Sequence, residues 1–119
     1  MQLGDTFLMP IPDQQIDHLW IVLSDPDRGS FVVVNVTKDV ARAGGECPIT
    51  PKDHPWIKES SFVNFADAIE ITQAKASVLS ALVGNLVTMQ ARLETKVVER
   101  IVLIAKKSKA FPIAFRKYL

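Results

Sequence analysis

Two short, almost continuously apolar runs, Leu19–Leu23 and Phe31–Val36, dominate the hydrophobic pattern of this chain. Both are rich in β-branched and aromatic residues and both have strand length. Between them, Ser24–Ser30 holds Asp25-Pro26 and Arg28-Gly29. Pro pre-sets the backbone of a tight turn, and Gly tolerates a positive φ at its end. An antiparallel hairpin within Asp17–Thr37 follows. Because the runs are almost continuously apolar, the strands are expected to be covered on both faces, as in a small closed barrel with helices outside it. Polar residues mark the outer ends: His18 before the first strand, Asn35 and Thr37 at the end of the second. A hairpin brings those ends side by side, which makes them the first place to seek a reaction centre.

The rest of the pattern is arranged around this hairpin. Gly4-Asp5 precedes Thr6–Met9, a predicted first strand that Pro10-Ile11-Pro12 stops, and Asp13–Asp17 reads as a polar loop. Lys38–Glu46 is polar and bends at Gly44-Gly45. Cys47–Trp56 carries three prolines and is stiff and extended rather than helical. Ser61–Phe65 and Ala66–Ile71 predict strand. Thr72 is a candidate N-cap for a short helix over Gln73–Val83, with Ala76, Leu79 and Val83 at helical spacing and Gly84 ending it. Val87, Met89, Ala91 and Leu93 alternate with polar residues, the period of a half-buried strand. A last helix is predicted over Lys96–Lys107, about 95–108 in all, with Thr95 as N-cap. Val97, Val98, Ile101, Ile104 and Ala105 form its apolar stripe, and Pro112 keeps it from running on. The expectation is one domain, 1–119, mainly β with a C-terminal helix (α+β).

Composition narrows the functional classes. No apolar run approaches a membrane span, and the N-terminal residues lack the zones of a signal peptide, so a cytoplasmic protein without a membrane partner is expected. The single cysteine, Cys47, excludes an internal disulfide, and one Cys with two His makes no convincing zinc site. No metal and no cofactor are expected. The net charge of +1 hides an asymmetry: residues 100–119 carry six basic side chains and no acid, whereas the residues before them hold 8 basic and 13 acidic, a balance of −5. Such a basic segment suits phosphates or an acidic partner, and equally suits the C-terminal end of a helix.

The order of short motifs carries a resemblance. Gly4-Asp5 opens the first strand, Ile21–Ser24 (IVLS) closes the second, and Val32–Thr37 (VVVNVT) ends the third. Ser60-Ser61-Phe62-Val63 leads into a strand ending Asp67-Ala68-Ile69-Glu70-Ile71, and a late strand ending in Leu93 runs into an amphipathic helix. This pattern, over most of the chain, resembles the MazF/PemK-like toxins. The resemblance implies a small SH3-like barrel over about residues 2–93 with a helix near the C-terminus. It also implies a homodimeric endoribonuclease that cuts single-stranded RNA at short sequences without a metal and is neutralised by an antitoxin protein. In that family an Arg just before the second strand and a Thr or Ser ending the third are associated with cleavage. Thr37 matches the second position; at the first, this chain has Asp17-His18.

Metal-free cleavage of RNA needs a base for the 2′-hydroxyl proton, an acid for the leaving 5′-oxygen and a donor to the phosphate. Histidine suits the proton transfers because its ordinary pKa is near neutrality. The candidate catalytic residues are therefore His18, Thr37 and His54, with Thr37 donating to the phosphate and His54 or Lys58 supplying the second proton function. Ser60 and Ser61 are candidates to position substrate, and Trp56, in a polar loop, to stack on an unpaired base; Trp20 reads as core. Two other readings stand beside this one: a Cys47–His54 nucleophile and base, and a non-catalytic SH3-like module that binds protein or nucleic acid.

Overall fold

The hairpin's two apolar runs form the centre of a curled antiparallel sheet. In the computed structural model, which describes residues 1–11 and 15–119, β1 (Thr6–Pro10), β2 (Asp17–Val22), β3 (Phe31–Thr37), β4 (Pro48–Ile49), β5 (Ser61–Ile71) and β6 (Thr88–Gln90) lie in the order β4-β5-β3-β2-β1-β6. Part of the expected 13–17 loop thus lies outside the described residues. A 3-10 turn, Pro26–Arg28, joins β2 to β3, capped by the Asp25 side chain and closed by Gly29 at positive φ. Among the described residues no ladder joins β4 to β6, so the sheet forms a half-barrel with two edges rather than the closed barrel expected.

Side-chain alternation explains the near-continuous apolar runs. Leu19, Ile21 and Leu23 with Val32, Val34 and Val36 enter one core; Trp20 and Val22 with Phe31 and Val33 enter another. The first is covered by α3 (Thr95–Lys107) through Val97, Val98, Ile101 and Ala105, and by Phe111, whose ring meets Phe65 edge-on at 5.9 Å. The second lies under α2 (Gln73–Leu82), with Leu79 buried and Ala76 and Leu82 packed at its margin. Both faces of the sheet are therefore dry, each against a helix. Gly4 holds the corner where β1, Leu93 and α3 meet: its φ is +86°, and a Cβ there would stand 3.0 Å from Val98 Cγ2. Leu93 N–H donates to its carbonyl at 3.0 Å.

β5 runs unbroken from Ser61 to Ile71, but its pairing with β3 shifts register between Val33/Ile69 and Asn35/Asn64. The additional residues of β5 make a bulge that turns Asp67 outward, where it accepts hydrogen bonds from Asn64 Nδ2 at 2.9 Å and from Arg42. Arg42 belongs to α1 (Val40–Ala43), a short helix in the stretch expected to be irregular. Asp39 caps it and Gly44 ends it at φ +80°. The predicted short helix ends at Leu82, one residue early, and Val83 is exposed because it is the extended residue after the helix. β6 is shorter than the alternation of residues 87–93 suggested. Val87 and Leu93 are buried, but Met89 and Ala91 are exposed, since β6 is an edge with β1 on one flank only. α3 starts one residue earlier than expected, with Glu94 as N-cap in place of Thr95. His18 lies within β2, opposite Met9, rather than before it.

Candidate functional site

At the outer ends of β2, β3 and β5 the sheet opens into a cleft of about 490 Å³ lined by Ile16, Asp17, His18, Val36, Thr37, Lys38, Asp39, Trp56 and Ser61. The ladder Trp20↔Asn35, continued outward, sets His18 beside Thr37, so the hairpin brings these two together as its sequence implied. His18 is half-buried, and its Nδ1 lies 3.2 Å from the carbonyl oxygen of Val36. A carbonyl only accepts, so Nδ1 carries the proton. In the neutral ring Nε2 is then the nitrogen with a free lone pair. Thr37 Oγ1 accepts the N–H of Asp39 at 3.1 Å, which leaves its hydroxyl hydrogen available to a ligand.

Trp56 arrives from the 50–57 loop, which is stapled on two sides. Asp53 accepts Thr50 N–H at 2.9 Å and Arg100 Nη2 at 3.0 Å, tying the loop to α3. Burial pulls the Asp53 carboxyl up, but the Arg100 and Thr50 hydrogen bonds outweigh it and hold the group below its usual range. His54 makes the second staple. Its Nδ1 accepts the N–H of Trp56 at 3.0 Å, so Nε2 bears the proton; it donates to Ala91 O at 2.8 Å, with Thr6 Oγ1 2.9 Å away. Its side chain is 2% exposed, and burial pushes its pKa below the usual value, partly offset by the Ala91 carbonyl.

The sequence-derived candidates thus divide. His18, Thr37, Trp56 and Ser61 line one cleft. His54 does not: the polar boundary expected of it is corrected to a buried, fully bonded position behind Trp56, from which it fixes the loop rather than facing solvent. Lys58 Nζ folds back on Pro55 O at 2.8 Å, and Ser60 is exposed; neither lines the cleft. Ser61 does, but its hydroxyl already donates to Glu59 O at 2.9 Å. Asp17, Lys38 and Asp39 are the cleft residues that sequence reasoning passed over. Asp17 entered only as a departure from a family pattern, and Lys38-Asp39 only as part of a polar stretch, although Asp39 followed five residues later by Gly44 has the spacing of a cap pair.

Two carboxylates and one ammonium face this cleft, and Lys38 is matched by Glu59 at 3.3 Å. Asp39 is occupied as well, since its Oδ1 accepts the N–H groups of Ala41 and Arg42. One pleat inward, the cross-strand partners Asn35 and Asn64 are buried, with Asn35 Nδ2 and Asn64 Oδ1 lacking partners among the described residues. Cys47 is wholly buried, and burial, with smaller contributions from Glu46 and Asp53 against Arg100, pushes its thiol up to about 11. It is therefore protonated at neutral pH, which removes support from a thiol nucleophile. Among the described residues no cluster of His, Cys, Asp and Glu is gathered for a metal ion, and no helix is long and apolar enough to cross a membrane. No protein-family model matches the chain, and neither does any curated protein.

Proposed function

We propose that this protein binds single-stranded RNA across the strand-end cleft and cleaves it, as a toxin-like endoribonuclease of the SH3-like, MazF/PemK-like kind. The observation that carries this reading is the convergence of His18 and Thr37, nineteen positions apart in sequence, on a cleft that Trp56 also lines. In this reading His18 Nε2 takes the 2′-hydroxyl proton while the 2′-oxygen attacks phosphorus. The bond to the 5′-oxygen breaks, leaving a 2′,3′-cyclic phosphate. His18, now imidazolium, returns the proton to the departing 5′-oxygen, since His54 is bonded elsewhere. Thr37 donates its hydroxyl hydrogen to the phosphate oxygen on which charge grows. A homodimer, a neutralising antitoxin and a cytoplasmic setting belong to the same reading.

A second reading is favoured by a specific observation: a single imidazole serves a cleft that also carries two carboxylates. That arrangement suits a non-catalytic SH3-like module binding protein or nucleic acid. One experiment separates them. Purified protein is incubated in EDTA with a long single-stranded RNA, beside His18→Ala. Discrete products from the wild type, lost or slowed about 10²–10⁴-fold in the variant, are expected. Equal cleavage by the variant removes His18 from the mechanism, and intact RNA with folded wild-type protein transfers the conclusion to the binding module.

A further inference from the structure

The cleft is lined by more groups than the cleavage chemistry uses. Strand alternation sends His18 and Thr37 to one side of the sheet and Asp17, Val36 and Ser61 to the other, so the cleft cuts across the strand ends. Ile16, Val36 and Trp56, which is 37% exposed, line the same cleft. With them is Asp17, an exposed carboxylate that makes no side-chain hydrogen bond or ion pair among the described residues. The other polar groups nearby are engaged: Lys38 with Glu59, Asp39 with two backbone N–H groups, Ser61 with Glu59 O. Asp17 is therefore the cleft carboxylate with both oxygens uncommitted among the described residues, whereas Asp39 has one oxygen engaged.

Resting on the RNA reading above, we propose that the cleft also holds a base-selecting subsite, with Trp56 as stacking face and Asp17 as the group that reads guanine. An ionised carboxylate only accepts, through two oxygens. It repels a phosphate and takes a neutral donor instead; ribose hydroxyls are the same in every nucleotide, so selection among nucleotides rests on the base edge. Guanine is the one standard RNA base that offers two adjacent N–H donors, N1–H and the N2 amino group, on its Watson–Crick edge. Those match the two oxygens side by side. Adenine and cytosine present one donor beside an acceptor, and uracil one donor between two acceptors, so each sets a carbonyl or ring lone pair against the carboxylate. Unstacked bases read at their edges while lying on an aromatic side chain are the common mode of sequence-specific RNA recognition. Asp17 is thus a specificity residue, adjacent in sequence to His18 but on the other side of its strand.

Neutral nucleosides test this without the phosphate's charge. Trp20 is wholly buried and Trp56 is not, so quenching of tryptophan emission on titration reports the subsite. Guanosine is expected to bind about tenfold or more tightly than uridine, adenosine or cytidine, and Asp17→Asn to erase that preference, in keeping with the discrimination a bidentate contact gives. Asp17 is exposed, so the variant's folding is not at stake. Equal quenching by all four nucleosides, or a guanosine preference untouched by Asp17→Asn, overturns the proposal. A labelled uridine oligonucleotide, with and without one guanosine, separates this from the reading it rests on. Binding of both alike keeps RNA and discards the guanine subsite. A guanosine preference with no oligonucleotide binding keeps the subsite and discards RNA.

Discussion

His18 and His54 are the chain's two imidazoles, and their hydrogen bonds set them apart, one keeping a nitrogen for the cleft and the other committed to the fold. His18 gives up Nδ1 to a carbonyl and keeps Nε2 for the cleft, whereas His54 spends both nitrogens on Trp56, Ala91 and Thr6. Removing His54 takes the acceptor from the part-buried Trp56 N–H and leaves a void, while Ala91 O keeps the Thr6 hydroxyl. His54→Ala is therefore expected to destabilise the fold by roughly 2–4 kcal/mol, read as a lowered denaturant midpoint. The pH dependence has a definite sign. Burial holds the folded-state pKa of His54 below its ordinary value near 6.5. The unfolded chain consequently takes up a proton that the folded chain refuses. This contribution to stability is complete above about pH 6.5 and is lost as pH falls from there toward His54's own lower value. Thermal midpoints between pH 8 and pH 5 should fall in the wild type, and fall less in His54→Gln; equal slopes would remove His54 from the account. None of this was legible from Asp53-His54-Pro55, because the partners of Nε2 lie 48 and 37 residues away along the chain. The pairing of His18 with Thr37 was legible, because a local turn enforces it.

Elements written by local chemistry could be read from the sequence, and those decided by what lies over them could not. The hairpin, the long β5 and the buried stripe of α3 all follow from short-range pattern. The alternation of residues 87–93 promised a seven-residue strand, yet only Thr88–Gln90 pairs. Period two describes two faces and says nothing about whether a neighbour covers either. α1 was missed because a one-turn helix has no apolar period to show; only its caps announce it. The two predicted N-caps provide a direct comparison. Thr72 accepts the N–H of Lys75 with its side chain at 3.3 Å and starts α2, while Thr95 is the first residue inside α3. Thr72→Ala is expected to cost about 1 kcal/mol and Thr95→Ala less than about 0.5 kcal/mol, measured as midpoint shifts with the denaturant slope unchanged. A larger cost at Thr95 would mean that it, not Glu94, is the cap.

Across the whole molecule, charge and chemistry sit apart. The cleft offers two carboxylates, so under the proposed RNA reading attraction for the backbone comes from elsewhere, and the basic segment 100–119 is the natural source. Its cations are not all free: Arg100 is held by Asp53, and Arg116 donates to Lys106 O at 2.8 Å, folding the last residues back on α3. Lys106, Lys107 and Lys109 are exposed and make no ion pair among the described residues. A single strand releases counterions so that log affinity falls with log salt by about 0.7 per phosphate contacted. If these three lysines track the backbone, replacing all three by alanine should reduce the slope for oligouridine binding by about 2. The guanosine preference read by Trp56, which involves no phosphate, should stay where it was. An unchanged slope would assign the lysines to the C-terminal end of α3, where cations offset the carbonyl dipoles, and would leave the backbone path to other cations. The two readouts are independent because one follows charge and the other the edge of a base. The proposed RNA reading calls for both, lysines to gather the strand and the base edge to fix where on it the cleft acts.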